Sequence, residues 1–380
     1  MQKLSTFGRQ LLLKAKLGAP PILQKTVIDP ILDNKERIRS LVQPFFDIYQ
    51  LQGRNQEGPL TVTYTGTLTS LRILRKNFFS EPSTTEKTGR ILVWKVQDLV
   101  DYSDSDIVVI EAGKHVVSKF SWHKAVVMPP YIHLVVDVEG SWEEVEYQLR
   151  RRKSARSEMR LARKYGYECE VSHREEDLES YYRDMYLPTI ESRHDEFASP
   201  MSFEEAYQHF KQGFIFWVKR DEQYVCGNLC RADEDELVLV SGGMLNADWQ
   251  LMKEGALGAM DYLNIQWANE NGFRIVNFLG CEPYLKSGIF QYKRKWGSRA
   301  FIPDSEDKRI WMKIQRNTPA VAHFLKDNPA ITTTKEDELQ GLIVTEAPSE
   351  VDEKMRAGWE KRYLTSGLDS LRVCSVDDLI

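Results

Sequence analysis

What this chain lacks narrows its class. Its 380 residues hold five cysteines, at 169, 226, 230, 281 and 374, with no CxxC pair. That odd, scattered set gives neither a disulfide framework nor metal-ligand spacing, so reduced thiols and no bound metal are expected. No apolar run reaches the roughly 18–20 residues that span a bilayer. G-x-S-x-G, G-x-x-x-x-G-K-[ST], G-x-G-x-x-G and H-E-x-x-H are all missing, which removes the common hydrolase, P-loop, dinucleotide and zinc-protease readings. Net charge is only −5, so any polyanion-binding surface must be local.

What remains is ordinary for a globular protein, with 42% hydrophobic and 28% charged residues. The length suits two domains or one large one. The N-terminal stretch, with Lys3, Arg9, Lys14 and Lys16 around Leu11–Leu13, lacks the core and cleavage site of a signal peptide. It reads as a basic extension over 1–40, packed on the body or, through residues 1–17, resting on an anionic membrane. A cytoplasmic location is expected.

Periodicity predicts a helix from about Asn34 to Tyr49, a strand over Leu60–Tyr64, helix or strand over Ser70–Phe79, and a polar turn over Glu81–Thr88. Strands follow at Ile91–Val96, Ile107–Ile110 and Ile132–Val138. One long helix covers Ser141–Tyr165, capped by Ser141 and closed by Gly166. A strand over Tyr167–Ser172 and helices over Glu175–Arg193 (interrupted near Pro188) and Phe203–Lys211 come next. Strands Phe214–Lys219, Tyr224–Arg231 and Leu237–Gly242, a helix from about Asp248 to Glu270 and a strand Arg274–Leu279 then lead into a basic segment, Gly288–Gly297. Ile310–Ile314 reads as the last strand and Val321–Lys326 as the last helix, followed by a polar, acidic tail from about residue 331.

Three clusters carry candidate chemistry. In the first, Arg152, Arg156, Arg160 and Arg163 share one helix face. Like charges at that spacing repel, and a phosphate would relieve them, since the guanidinium fork grips two oxygens. In the second, the strand Arg274–Gly280 runs through the loop Cys281–Ser287 into Lys286, Lys293, Arg294 and Lys295. Ligands gather at such strand ends, and a lysine there can hold a phosphate or an oxyanion. In the third, Arg193, His194, Asp195 and Glu196 offer charge and a proton carrier.

The order and spacing of these pieces resemble the FemAB-like branch of the GNAT acyltransferase superfamily. The likeness runs from about Arg151 to Gly297: the basic helix ending Ala162-x-x-x-Gly166; the Tyr186, Thr189, Arg193 helix; the strand opening at Gly227; Trp267-Ala268-x-x-x-Gly272-Phe273; Asn277-Phe278-x-Gly280; and Gly288-x-Phe290-x-Tyr292-Lys293-x-x-Trp296-Gly297.

The resemblance implies a mixed α/β, GNAT-like fold, duplicated in tandem, with a divergent N-terminal half over 41–150 and the transferase half over 151–330. It implies acyl or aminoacyl transfer to an amine of a small molecule, sugar or peptide, from acyl-CoA or, alternatively, from aminoacyl-tRNA. Carried over by position, Lys293 and Tyr292 would face the reacting carbonyl, with Lys293 stabilising the oxyanion. Asn277 stands where the family commonly has Asp, and an amide cannot serve as a base; Glu282 or Asp195 would substitute. Arg193, His194, Glu282 and Tyr284 are the candidate substrate contacts, and Arg152, Arg156, Arg160 and Lys295 the candidate donor contacts. No covalent role falls to Cys281. Outside the enzyme class, the basic stretches suit a non-catalytic anion-binding or membrane-surface module.

Overall fold

The computed structural model describes residues 45–194 and 200–380; the expected N-terminal extension, its membrane contact, and Asp195 and Glu196 lie outside them. Three sheets organise the chain. Strands β1 (Phe45–Asn55), β2 (Gly58–Thr65), β3 (Thr84–Leu92), β4 (Ile107–Gly113), β5 (Val126–Met128) and β6 (Ile132–Asp137) come first, with helix α1 (Leu68–Phe78) after β2. Helices α2 (Trp142–Arg150) and α3 (Lys153–Lys164) lead to β7 (Glu168–Ser172), then α4 (Glu175–Tyr181), a π-helical turn (Tyr182–Tyr186), α5 (Leu187–His194) and α6 (Phe203–Phe210). Strands β8 (Gly213–Arg220), β9 (Gln223–Asp233) and β10 (Glu236–Met244) precede α7 (Trp249–Lys253), α8 (Ala256–Glu270) and β11 (Ile275–Cys281). Then come α9 (Gly288–Arg294), β12 (Arg299–Phe301), β13 (Lys308–Ile314), α10 (Pro319–Asp327), β14 (Ala330–Thr333), β15 (Leu339–Val344), α11 (Glu353–Tyr363) and β16 (Leu368–Cys374).

The two large sheets share one design. Their orders are β3-β1-β2-β4-β13-β5 and β12-β6-β11-β10-β9-β8-β7. In each, an antiparallel pair (β1–β2, β9–β10) is followed by a helix (α1, α8) and a strand parallel to the second of the pair (β4, β11). An antiparallel strand comes next, and a short strand closes the sheet. The tandem mixed α/β arrangement is therefore present. The fourth position is exchanged: β13, late in the chain, lies between β4 and β5, while β6, early in the chain, lies between β11 and β12.

Burial explains the exchange. Every residue of β4 is buried, as expected for a strand covered on both faces. Trp311 of β13 is 2% exposed, stands edge-on to Phe120 at 5.2 Å, and donates from Nε1 to the Ser121 carbonyl at 2.9 Å.

The sequence reading needs correcting at several places. Residues 45–49, placed in a helix, start β1, and the polar turn at 81–88 is mostly β3; these strands pair with each other, so tertiary pairing overrides local pattern. The strand expected at 91–96 ends at Leu92 and turns into a short 3₁₀ segment. The helix 141–165 is two, divided where Arg152 is extended (φ −95°, ψ 118°); the Ser141 capping box holds the first. The helix 248–270 is also two, bent at Gly255 (φ +83°). A π-helical turn, not a break, accommodates Pro188, whose missing N–H and ring crowd the preceding turn. Ile310–Ile314 and Val321–Lys326 are not the last strand and helix. Beyond 330 the chain forms β14-β15-β16 and α11, with Ile331, Leu339, Leu368 and Leu371 packing against Leu285 and Phe290.

Trp311→Ala should cost about 3–5 kcal/mol, read by denaturant unfolding. Amide exchange should quicken at Ile110 and Val127, the register partners of Trp311 in strands encoded far upstream.

Candidate functional site

Strands β10 and β11 run parallel and pair over only three positions, Glu236–Val238 with Ile275–Asn277. Beyond them β11 bulges against β6 between Asn277 and Gly280. One side chain sets the bulge. The Asn277 amide donates from Nδ2 to Glu236 Oε1 at 2.7 Å, and its Oδ1 accepts from the Leu279 N–H at 2.7 Å. Leu279 is thereby held at φ +59°, costly for a side chain of its size. Asn277 is 6% exposed. It shapes the strand end, with one amide hydrogen and the oxygen engaged there, so its amide in place of a carboxylate has a structural reason.

The bulge supplies the seat for Lys293. From α9, Lys293 Nζ donates to the Leu279 carbonyl at 3.2 Å and to the Gly280 carbonyl at 2.8 Å. Burial draws its amine down to about 8, opposed by nearby Cys281 and Asp261. Two of its three hydrogens are thus occupied, and no partner for the third stands among the described residues. Cys281 is 6% exposed within the core, and burial pushes its thiol up to about 12, the signature of an inert cysteine.

Adjacent residues on a helix point about 100° apart, and Tyr292 serves a different cluster from Lys293. Asp261, buried in α8, accepts hydrogen bonds from Tyr292 and from Trp296 Nε1, the latter at 3.1 Å; burial raises its carboxyl to about 6. Lys295, its side chain 10% exposed, lies 3.8 Å from the Tyr292 ring centroid and donates to Glu158 Oε1 at 2.7 Å. The Lys295 ammonium is committed to Glu158 rather than offered to a donor.

Glu158 also lies over the first turn of α8, without a cap hydrogen bond to its backbone. A methyl on Gly258, in that first turn, would run into the Glu158 carboxylate. The first half also places a carboxylate at a helix start, there bonded to the backbone. Glu111, 4% exposed, accepts from the Thr67 N–H at 2.7 Å at the cap of α1, and from the Tyr64 hydroxyl at 2.7 Å. A helix N-terminus attracts anions; at both of these the protein supplies its own.

The other expected residues are dispersed. Arg156 and Arg160 are exposed on α3, with no ion-pair partner among the described residues, whereas Arg163 pairs with Glu146. Arg152 lies against Gly297, its guanidinium drawn below the usual range by burial and by Arg151. Glu282 pairs with Lys76 of α1. Tyr284 is 4% exposed in the first-half core, so it contacts no substrate without local opening. Arg193 and His194 end α5; their side chains lie outside the description. That helix is tied to the end of β10 through Thr189, whose hydroxyl accepts from the Met244 N–H at 2.8 Å, and the preceding α4 through Tyr181, whose hydroxyl donates to the Ser241 carbonyl at 2.6 Å.

Sequence reasoning missed His133. Strand exchange sets it opposite Gly280, with ring centroids 5.6 Å from Tyr131 and 5.7 Å from Phe301. Burial, then the charge of Lys293, lowers its pKa to about 4. Its one signal was a histidine inside a β-branched run.

No family model and no curated protein matches the chain. Among solved structures, it is similar to FemX at 13% identity and TM-score 0.38, over 72% of this chain and 89% of that one. It is also similar to the C-terminal domain of a putative lysylphosphatidylglycerol synthetase from Agrobacterium fabrum, at 13% and 0.35 over 74% and 83%. A third likeness is to a GCN5-related N-acetyltransferase from Sphaerobacter thermophilus, at 10% and 0.30 over 66% and 71%. At these scores the likenesses carry no argument about chemistry.

Lys293 should titrate near pH 8, seen by NMR of its Nζ. Because the unfolded lysine holds its proton to about 10.5, the unfolded state binds more protons between pH 8 and 10.5. Stability should therefore rise with pH across that window, by up to about 3 kcal/mol, and Lys293→Met should abolish the rise.

Proposed function

We propose that this chain is an N-acyltransferase, moving an acyl or aminoacyl group from an ester or thioester donor to an amine by direct attack. The observation that carries the reading is Lys293, seated on two carbonyls at the splayed end of β10 and β11 with one N–H uncommitted. A carbonyl oxygen entering there meets an ammonium in a low-dielectric surround, where charge developing in the transition state is strongly stabilised. The reaction needs positioning and an oxyanion partner, not an enzyme nucleophile, which agrees with the inert thiol of Cys281. Asn277 acts one layer behind, by fixing the carbonyls that hold Lys293.

Arg156 and Arg160 would carry the donor's phosphates. Acyl-CoA is the donor the sequence resemblance favours. The carboxylates at the N-termini of α8 and α1 favour the other reading, aminoacyl-tRNA, because a CoA pyrophosphate would have to displace Glu158 or Glu111. The acceptor is an amine of a small molecule, sugar or peptide.

The two donors separate by salt and by mutation. With aminoacyl-tRNA, transfer should weaken steeply from 50 to 200 mM salt, and Arg156→Glu with Arg160→Glu should raise the donor KM at least tenfold and flatten the salt slope. Transfer from acetyl-CoA that ignores both substitutions would return the donor to CoA and remove the arginine face from the account. Salt-dependent RNA binding without transfer from any donor would make the chain a binding module and overturn the enzyme reading.

A further inference from the structure

Strand exchange brings one titratable side chain from the first half of the chain to the Lys293 site, and the reading of Lys293 gives it no task. His133 lies across from Gly280, the residue whose carbonyl accepts from Lys293 at 2.8 Å. A methyl added to Gly280 would stand 3.6 Å from His133 Nε2 and 3.3 Å from Tyr131 Cδ2, so imidazole and lysine flank the same glycine from two different elements. The ring is fixed between Tyr131 and Phe301. Neither ring nitrogen has a hydrogen-bond partner among the described residues. The half-buried imidazole therefore keeps both nitrogens open to an incoming group.

The charged and titratable groups around it come from each neighbouring element. Lys293 of α9 is the nearest cation, and Cys281 of β11 is a neutral thiol at physiological pH. Tyr131 stands beside it, and Arg299 of β12 lies over the far ring, 5.8 Å from the centroid of Phe301. Among the described residues no carboxylate is paired with the imidazole, so it stays uncharged and keeps a lone pair for a donor.

We propose that His133 receives the proton of the acceptor amine as that amine attacks the acyl carbon beside Lys293. The proposal rests on the acyl-transfer reading. In the step, the amine nitrogen bonds to the carbonyl carbon and the carbonyl pair moves to oxygen, where Lys293 stabilises it. The N–H proton passes to the imidazole. Collapse restores the carbonyl, breaks the bond to the leaving oxygen or sulfur, and the imidazolium returns its proton to that leaving group. Burial chiefly, and the charge of Lys293 after it, keep the resting imidazole unprotonated; the oxyanion beside Lys293 offsets the second of these, so proton uptake is favoured as the intermediate forms. Lysine and histidine thus divide the work: one serves the donor carbonyl, the other the acceptor amine.

The test separates these roles. Long-range ¹H–¹⁵N NMR on the full-length protein should show His133 neutral at pH 6, and diethyl pyrocarbonate at pH 6 should modify it. Wild type, His133→Gln, His133→Asn and Lys293→Ala are then compared using the alanyl thioester of N-acetylcysteamine as donor and methylamine as acceptor, after melting curves confirm folding. His133→Gln and His133→Asn should each lose at least tenfold in kcat for amide formation, with the donor KM unchanged and the acid limb of the pH profile moved. Lys293→Ala should lose at least a hundredfold in transfer. A protonated His133 at pH 6, or glutamine and asparagine variants with wild-type rate and pH profile, would overturn the role of His133 and leave Lys293 standing. Absence of transfer by wild type itself would overturn the acyl-transfer reading, and this proposal with it.

Discussion

The reciprocal exchange of β6 and β13 is the constraint on which the rest depends. Neither large sheet is complete without a strand from the other end of the chain. Closing such a long loop costs conformational entropy, and the burial of β4, β13 and Trp311 offsets it. The functional consequence lies in the second sheet. Because β6 rather than a local strand flanks β11, the bulge at Asn277–Gly280 faces His133 and Tyr131. The first half thus supplies one wall of the site that the second half builds.

Electrostatics decides what that site can do. An amine drawn down to about 8 by burial remains mostly an ammonium at neutral pH, yet gives up part of its hydration to get there. Two backbone carbonyls replace some of that water, and their orientation depends on Leu279 in a left-handed conformation pinned by Asn277. The strain in Leu279 is local and is supported by the two hydrogen bonds of the Asn277 amide. The neighbouring cluster of Glu158, Lys295, Tyr292 and Asp261 is self-satisfied, which is why it reads as scaffold although its residues fall in the most suggestive stretch of the sequence.

Much of the second half was legible in the sequence because its signals are local. Ser141 caps α2 as expected, and Ser202 with Glu205 caps α6 in the same way, Gly166 ends α3 at φ +62°, and β8 to β11 follow alternation and turns. Lys293 was singled out by the order of motifs around it. The rest was written in long-range contacts. Nothing local told that β13 leaves its neighbours in sequence to join β4, that Glu282 meets Lys76, or that Tyr284 is a core residue. Lys295 and Tyr292 looked available because a helical segment does not disclose which face is covered, and Glu158 lies 137 residues from its partner. The acidic composition past 331 hid alternating core positions that complete the packing around Leu285 and Phe290.

The most direct measurement is transfer of a radiolabelled acyl group, offered separately on acetyl-CoA and on aminoacyl-tRNA, to a mixture of amines by wild type and by Lys293→Ala and Lys293→Arg. The account predicts amide formation from at least one donor by wild type and a loss of at least a hundredfold in Lys293→Ala, equivalent to removing an oxyanion partner. Arginine should restore little, because its fork does not fit a seat made for a point charge. Amide formation by Lys293→Ala at the wild-type rate would contradict the account.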